Sequence, residues 1–478
     1  MEEIKKVKNI VIGAGPAGRL GSFELGKLGE ETLLIEKKYI AGTCLNEGCM
    51  VVCALTDISR FIRSFKRFNE IGFIDGNISL DYKSACDMIK KTQLLLRKLN
   101  QEENESVDNN VIYGEASVEI SDDDKIIVKV KLDNDNELQR ENVKNKDYDI
   151  YEAENLLIAT GARPFIPNIV GAKYALTSSD VLSLKEVPSK LNIVGGGIIA
   201  TELSNIFSSF GSEVKIIARS EILKELEPEI KSYVVEKLIN EVDIHENTNV
   251  LEITENSIIT DKGEFEGKTL IATGRVPNSE IVKDIVELNE DGSIKVNEFF
   301  QTSNPNIYAA GDVTGGITLT PYARKEGISA ARNMAGYLNK FDDIIVPQSL
   351  TLDLDVSFTQ KASESEDKDN KDNVEEIAKL NDEFRANPSL GTLILTEGIR
   401  SNTHDDIATI INKVRNFNDF DEDNNPYGEK DFGAFDFKGK KIFWKIDYYD
   451  NKFLFLSPNA CKPRLTNRVM TIMYADEY

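Results

Sequence analysis

One glycine-rich turn occurs twice in this chain, and that repetition limits the fold more than any other feature. Asn9-Ile-Val-Ile12 is an apolar run of strand length. Gly13-Ala-Gly15-Pro-Ala-Gly18 follows, then a helical stretch from about 17 to 28, then Thr32-Leu-Leu-Ile35 closed by Glu36. A strand, a Gly-x-Gly-x-x-Gly turn, a helix and a strand ending in an acid make the β-α-β unit that holds a dinucleotide. Gly13 permits the tight turn, Gly15 lets backbone approach a pyrophosphate, and Gly18 lets the helix pack close to the strand. The helix N-terminus then faces the phosphates.

The same order returns about 180 residues later. Leu191-Asn-Ile-Val194 leads into Gly195-Gly-Gly197-Ile-Ile-Ala200, a helix to about 210 and the strand Val214-Lys-Ile-Ile217. Two dinucleotide sites in one chain imply two different dinucleotides. FAD and a nicotinamide are the economical pair, because electrons must pass between two carriers. The second unit has Ala218-Arg219 where an NAD site places an acid. Arg219 suits a 2′-phosphate and favours NADPH over NADH; its structural alternative is a solvated side chain at a strand end. Asn306-Ile-Tyr-Ala-Ala-Gly311-Asp312 is a further strand, with a carboxylate at the end where ligands bind in open α/β sheets. A helix is expected over 321–336.

A length of 478 residues exceeds one core and implies two to four units. The net charge of −24 disfavours nucleic acid and anionic membranes as partners. No apolar run has the length of a membrane span, and the first residues pass from charge straight into a strand without an apolar leader, so a cytoplasmic location is expected. Residues 361–372, KASESEDKDNKD, read as a solvated linker. Beyond it a separate α+β module is expected over 374–478. Its helices fall near 375–385 and 405–417, its strands at 392–396 and 441–450, and a turn-rich stretch at 421–433.

Cysteines stand at 44, 49, 53, 86 and 461, three of them within ten residues. Cys44 and Cys49 lie in Gly42-Thr-Cys44-Leu-Asn-Glu-Gly-Cys49. Five helical steps rise about 7.5 Å, more than a disulfide spans, so a bridge needs a loop entering a helix. Gly42 and Gly48 allow one. Cysteines at a helix N-terminus are good thiolates. The pair is therefore a candidate for thiol–disulfide exchange, and two unpaired buried cysteines are the bland alternative. No metal-ligand cluster is evident.

Residues 1 to about 359 resemble the class I flavoprotein disulfide reductases, dihydrolipoamide dehydrogenase most of all. The resemblance rests on Gly13–Gly18, Gly42–Cys49, Ala159-Thr-Gly-Ala-Arg-Pro164, Gly195–Glu202, Ala272-Thr-Gly-Arg-Val-Pro-Asn278 and Ala309-Ala-Gly-Asp312, in this order. It implies two Rossmann-like domains, one for FAD (1–150 and 275–345) and one for NAD(P)H (151–274). It further implies that Cys44 meets a small-molecule or protein disulfide or dithiol, while Cys49 lies against the flavin as a charge-transfer thiolate. Glu36 would hold the adenosine ribose, Asp312 the ribitol, and Gly114 would lie near the adenine. Glu202 and Gly274 would line the nicotinamide site. Gly42, Thr43, Cys53, Thr160, Gly161, Gly195, Gly197, Arg275 and Gly311 belong to the same cofactor-binding stretches.

Three departures qualify that expectation. Met50-Val-Val-Cys53 replaces the family's Ile-Pro-Ser-Lys, so a thiol stands where an ammonium approaches the flavin; Cys53 is a packing residue or a third redox thiol. The C-terminal interface domain, which dimerises the family and supplies a His–Glu base pair, is reduced to one strand over 346–359. That leaves an apolar edge and makes monomer or homodimer equally open. Only His245 and His404 are present, neither in the family's context, so lipoamide turnover is expected to be slow while artificial acceptors or oxygen work better. Residues 376–478 instead resemble a family of small uncharacterised bacterial proteins, through Asn425-Pro-Tyr-Gly-Glu429 and Phe443-Trp-Lys-Ile-Asp-Tyr-Tyr-Asp450, with Lys430 in a position usually held by His. The aromatics of 432–449 read as core. Asp447 and Asp450 are a minor candidate site. The join falls inside a domain, which points to recombination, a gene-model artefact or a chimera. The competing reading is a non-catalytic fusion whose module is a protein-interaction domain. Metal-ion reduction lacks the extra cysteine pair it needs, since Cys461 stands alone.

Overall fold

The computed structural model describes residues 4–139, 147–337, 339–341, 348–358, 366–421, 424–425, 428–449, 453, 457, 460–463 and 466–477, with 237–238 and 366–373 described by backbone alone. The chain forms two compact units, Met1–Gln360 and Lys361–Tyr478.

The first unit contains two parallel sheets. In one, strand Ile4–Ile12 lies between Thr32–Glu36 and Tyr148–Ile158, with Asn110–Ile120 and Ile307–Ala309 outside them. Ile12 pairs with both Ile35 and Ile158, so the turn at Gly13 opens at the centre of the sheet's carboxyl edge. All five residues of Thr32–Glu36 are buried, as expected for a strand covered on both faces. Strand Ile126–Leu132 closes the far side, antiparallel to Asn110–Ile120 and Tyr148–Ile158. The second sheet is centred on Lys190–Val194, flanked by Glu213–Ile217 and Lys268–Ile271. Helices form at Pro16–Lys27, Ile198–Ser209 and Thr320–Met334, where they were expected.

The domain boundaries need correction. The expected cut after residue 150 falls inside strand Tyr148–Ile158, which belongs wholly to the first sheet. The chain leaves that sheet later, through Ala162–Pro164, and returns beside it through Arg275–Pro277, the two pairing antiparallel. His245 closes strand Asp243–His245.

The expected lone strand over 346–359 is a hairpin. Gln348–Leu350 pairs antiparallel with Val356–Phe358, so its edge is not left unpaired. Leu350 and Leu352 are fully buried against Val51 and Leu55 of helix Cys49–Glu70. Arg60 donates to the Leu352 carbonyl and to Asp355, and Arg63 pairs with Asp353. The acids Asp353 and Asp355 are thus held by two arginines one helical turn apart. Residues 346, 347 and 359 lie outside the described residues.

The second unit is a four-stranded sheet in the order Thr392–Leu395, Asn467–Tyr474, Lys440–Tyr449, Phe432–Phe437; the first pairing is parallel and the others antiparallel. Ile442, Trp444 and Ile446 are buried at every second position and meet Phe384, Ile410, Val414 and Ile472. Trp444 is ringed edge-on by Phe417 and Phe420. The aromatic strand is therefore core. Helix Glu366–Ala386 begins within the expected linker: residues 366–372 are helical, and 361–365 lie outside the described residues. Asp447 pairs with Lys445, and Lys430 pairs with Asp382. Asp450 lies outside the described residues.

Candidate functional site

The glycine turn and the cysteine segment are built against each other. Gly13 has φ +97°, and a Cβ there would sit 2.4 Å from the Ala159 carbonyl oxygen. A Cβ on Gly42, at φ +59°, would come within 2.7 Å of the Gly15 Cα. Backbone contact of this kind tolerates no side chain, so the cysteines are carried to the mouth of the dinucleotide turn. Helix Tyr82–Glu105 clamps the segment from the other side. Gln93 donates to the carbonyls of Leu45 and Asn46, and Arg97 donates to the Asn46 side chain.

Cys44 lies in the short helix Gly42–Asn46, and Cys49 is the first residue of Cys49–Glu70. Glu47 and Gly48 break the helix between them, which is the loop that a bridge requires. Both cysteines are free thiols here. A hydrogen bond from the Cys49 thiol draws the Cys44 pKa down to about 6. Burial opposes this, and Thr320 and the Arg324 charge reinforce it. The same bond, with burial and the Cys44 charge, pushes Cys49 up. The two thiols titrate as one coupled pair that shares a proton once the first has left, and that first proton leaves below the usual thiol range. Thr320 Oγ1 lies 3.8 Å from Cys49 Sγ. Cys49 stays open to solvent, although protein crowds it on several sides.

Cys53 follows one turn along the same helix. Burial, Cys49, Glu202, Asp57 and Asp355 together push its thiol up, so it is a neutral group at neutral pH. Glu202 is buried and accepts from the Thr351 backbone N–H at 2.8 Å. Burial first, then the charges of Cys49 and Asp355, raise it to about 7. The hairpin over 348–358 thus supplies part of this cluster.

The residues at the carboxyl edge of the first sheet fit a flavin dinucleotide. Glu36 is buried, and its two oxygens accept from the Ala14 and Lys38 N–H groups at 2.7 and 2.8 Å. Burial pushes its pKa up. Asp312 follows Gly311, and burial raises it too, against the nearby Arg275 charge. Two desolvated carboxyl groups at strand ends along the same sheet edge call for donors such as ribose and polyol hydroxyls. Thr160 and Gly161 are tied to Asn278 at the crossing between the sheets. Arg275 reaches Thr43 at 3.5 Å.

The second turn repeats the first. Gly195 has φ +137°, and its Cβ would meet the Ala272 carbonyl oxygen at 2.1 Å. Space is open around Gly197 and Gly274, as a bound nucleotide requires. Arg219 is exposed just beyond the end of strand Glu213–Ile217. The absent side chain of Gly114 makes room for the Lys131 carbonyl oxygen, 2.5 Å from a Cβ, so the ladder itself demands glycine there. His245 bonds Asp243 and stacks near Phe265, within the second sheet's edge.

Sequence reasoning passed over Thr320, Arg324 and Glu326. They share helix Thr320–Met334, and Thr320 and Arg324 are spaced i, i+4 on one face. Glu326 accepts from the Gly311 N–H at 2.6 Å, and burial raises it to about 7. The spacing was readable; its direction toward the cysteines was not.

Residues 7–327 match the model of the pyridine nucleotide-disulphide oxidoreductase family. The chain belongs to this family. Dihydrolipoyl dehydrogenase of Chlamydia trachomatis serovar D is 31% identical over 355 residues, covering 71% of this chain and 72% of that protein. A dihydrolipoyl dehydrogenase of Bacillus subtilis is 32% identical over 369 residues, covering 71% and 74%. The Cu(II) complex of the HOCl-induced flavoprotein disulfide reductase RclA from Escherichia coli superposes with a TM-score of 0.64 at 25% identity, over 77% of this chain and 79% of that one. The family uses FAD with NAD(H) or NADP(H) and acts on disulfide or dithiol substrates. Residues 395–477 match a protein of unknown function, DUF3768. Among the described residues, no helix is long and apolar enough to cross a membrane, and no three His, Cys, Asp or Glu are grouped to hold a metal.

Proposed function

We propose that this chain is an FAD-dependent NAD(P)H:disulfide oxidoreductase that works through Cys44 and Cys49 and prefers to reduce disulfides over oxidising dihydrolipoamide. The observation that carries the reading is the placement of Cys44 and Cys49, on either side of a helix break, against the Gly13–Gly18 turn through the Gly42–Gly15 contact; the Cys44 thiol, drawn down to about 6, accords with it. The bound flavin would accept a hydride from the nicotinamide and hand an electron pair to the cysteine pair. Glu36 and Asp312 would hold ribose and ribitol hydroxyls at the first turn, with Gly114 beside the adenine. Gly195, Gly197, Glu202, Gly274 and Arg219 would hold the nucleotide at the second turn, Arg219 on a 2′-phosphate.

Once reduced, the pair needs no outside base to attack. The coupling draws the Cys44 thiol down to about 6, so the pair supplies a thiolate at neutral pH and retains one proton for a departing thiolate. The opposite direction is different. Oxidising dihydrolipoamide requires removing a proton from a substrate thiol of ordinary pKa, and His245 is bonded to Asp243 away from the pair. A missing general base slows such a step by about 10²–10⁴-fold. The cytoplasm, a reducing compartment, suits such a cysteine pair. The second unit contributes its own aromatic core and, on this reading, no redox group. The competing reading, a non-catalytic fusion, is separated by anaerobic electron uptake. The parent should take up four electrons per flavin from NADPH and Cys44→Ser two; equal uptake would refute the redox role of the pair.

A further inference from the structure

A cavity of about 190 Å³ opens beside Cys44. Met50 and Leu96 give it apolar wall, Asn100 an amide, and Arg19 and Arg324 two guanidinium groups. Arg19 comes from helix Pro16–Lys27, is buried, and ion-pairs with Glu103. Arg324 comes from helix Thr320–Met334 and is exposed, with no acidic partner in ion-pair range among the described residues. Its charge acts on both Arg19 and Cys44. Glu103 therefore neutralises one cation and leaves the other facing the cavity. In a chain of net charge −24, an unpartnered arginine next to a nucleophile is a selective feature. Arginine also matches a carboxylate in two-point geometry.

We propose that this cavity seats the acidic end of a low-mass disulfide, so that the preferred substrate carries a carboxylate near its sulfurs instead of a neutral amide. The proposal rests on the disulfide-reductase reading above. The Cys44 thiolate attacks the nearer substrate sulfur; the substrate S–S bond breaks, a Cys44 mixed disulfide forms, and one thiolate leaves and takes the Cys49 proton. The Cys49 thiolate then attacks Cys44 sulfur and expels the second thiolate, which takes a proton from water. The protein dithiol is oxidised by two electrons to the Cys44–Cys49 disulfide, and the substrate is reduced by two to a pair of thiols. Reduced pyridine nucleotide, the reductant of the family, restores the dithiol through the flavin.

The test uses the full chain, reduced with a phosphine, desalted without oxygen and mixed with three symmetrical disulfides. These are dithiodipropionate (anionic), bis(2-hydroxyethyl) disulfide (neutral) and cystamine (cationic). Thiol release is measured, each rate divided by that disulfide's rate with dithiothreitol. The anion should react about tenfold faster than the neutral disulfide, against the sign of the whole protein's field. Arg324→Gln should bring that ratio to about one, while Arg324→Lys keeps most of it. A role of Arg324 in folding or in lowering the Cys44 pKa alone would slow all three alike and leave the ratio standing, which would overturn the proposal. Equal normalised rates in the parent would overturn it too. No release from any of the three would instead refute the exchange chemistry on which it rests.

Discussion

The two glycine turns are the same device with different endings. In each, the first glycine donates to the second strand, Gly13 to Ile35 and Gly195 to Ile217. In each, the following strand's Ala-Thr-Gly closes against the first, Ala159 on Ile12 and Ala272 on Val194. The endings diverge one residue on. The position of the buried Glu36 is taken in the second unit by the buried Ala218, and a cation, Arg219, stands exposed beyond it. On the proposed reading the shared backbone would bind the part that dinucleotides share, the pyrophosphate, and the strand-end residue would distinguish their riboses. The acids differ as well. Glu36 is satisfied by Ala14 and Lys38 N–H groups, while Glu202, in the helix after the second turn, has Thr351 N–H and lies near the cysteines.

The strongest way to break this comparison is to fill each turn. Gly13→Ala and Gly195→Ala each place a Cβ into a carbonyl oxygen and should each cost about 3 kcal/mol or more. Gly13→Ala should purify without flavin. Gly195→Ala should keep flavin and lose NADPH binding, as visible absorbance per chain and equilibrium titration would record. Loss of flavin from both variants would erase the assigned difference.

Glu202 supplies the next largest effect. Its folded pKa, about 7, lies above the ordinary carboxylate range. The folded state therefore holds a proton that the unfolded state has released, and stability falls as pH rises from about 4.5 to 7. The full effect is about 3 kcal/mol. Glu202→Gln should flatten that part of the denaturation-midpoint profile, whereas an unchanged slope would show that other groups set it.

Arg219→Asp probes the strand ends directly. It should shift the ratio of NADPH to NADH affinity by about ten- to a hundredfold toward NADH. No shift would make Arg219 a solvated side chain. The smallest effect concerns Cys44. Its alkylation rate should be flat above pH 7 and fall through a midpoint near 6, and Thr320→Val should move that midpoint up by about half a unit. A midpoint above 8 would contradict the proton sharing.

Much of this was legible because its causes are local. The two turns, their strands and the helix break at Gly48 follow from residues within a few positions of each other. What stayed hidden depends on distant partners. The run Leu350-Thr-Leu-Asp-Leu-Asp-Val reads as one alternating strand, yet Arg60 and Arg63 fold it back as a hairpin. The domain cut at 150 failed because a strand is assigned to its sheet by pairing with Ile4–Ile12, which composition does not encode. The charged 366–372 joined a helix whose apolar contacts begin later, at Ile377 and Ala378. Of the site, the glycines, both cysteines, Glu36 and Asp312 were readable by motif. Thr320, Arg19 and Arg324 were not, because only the packing of three helices brings them to Cys44.

The central claim, that electrons pass from the second turn to the first and on to the cysteine pair, is tested most directly by anaerobic titration of the purified chain with NADPH and then NADH, following the visible spectrum. The account predicts a yellow protein that bleaches in part, gains a long-wavelength thiolate–flavin band and responds at lower concentrations of NADPH than of NADH. A colourless protein, or a flavin that bleaches fully without that band, would contradict it.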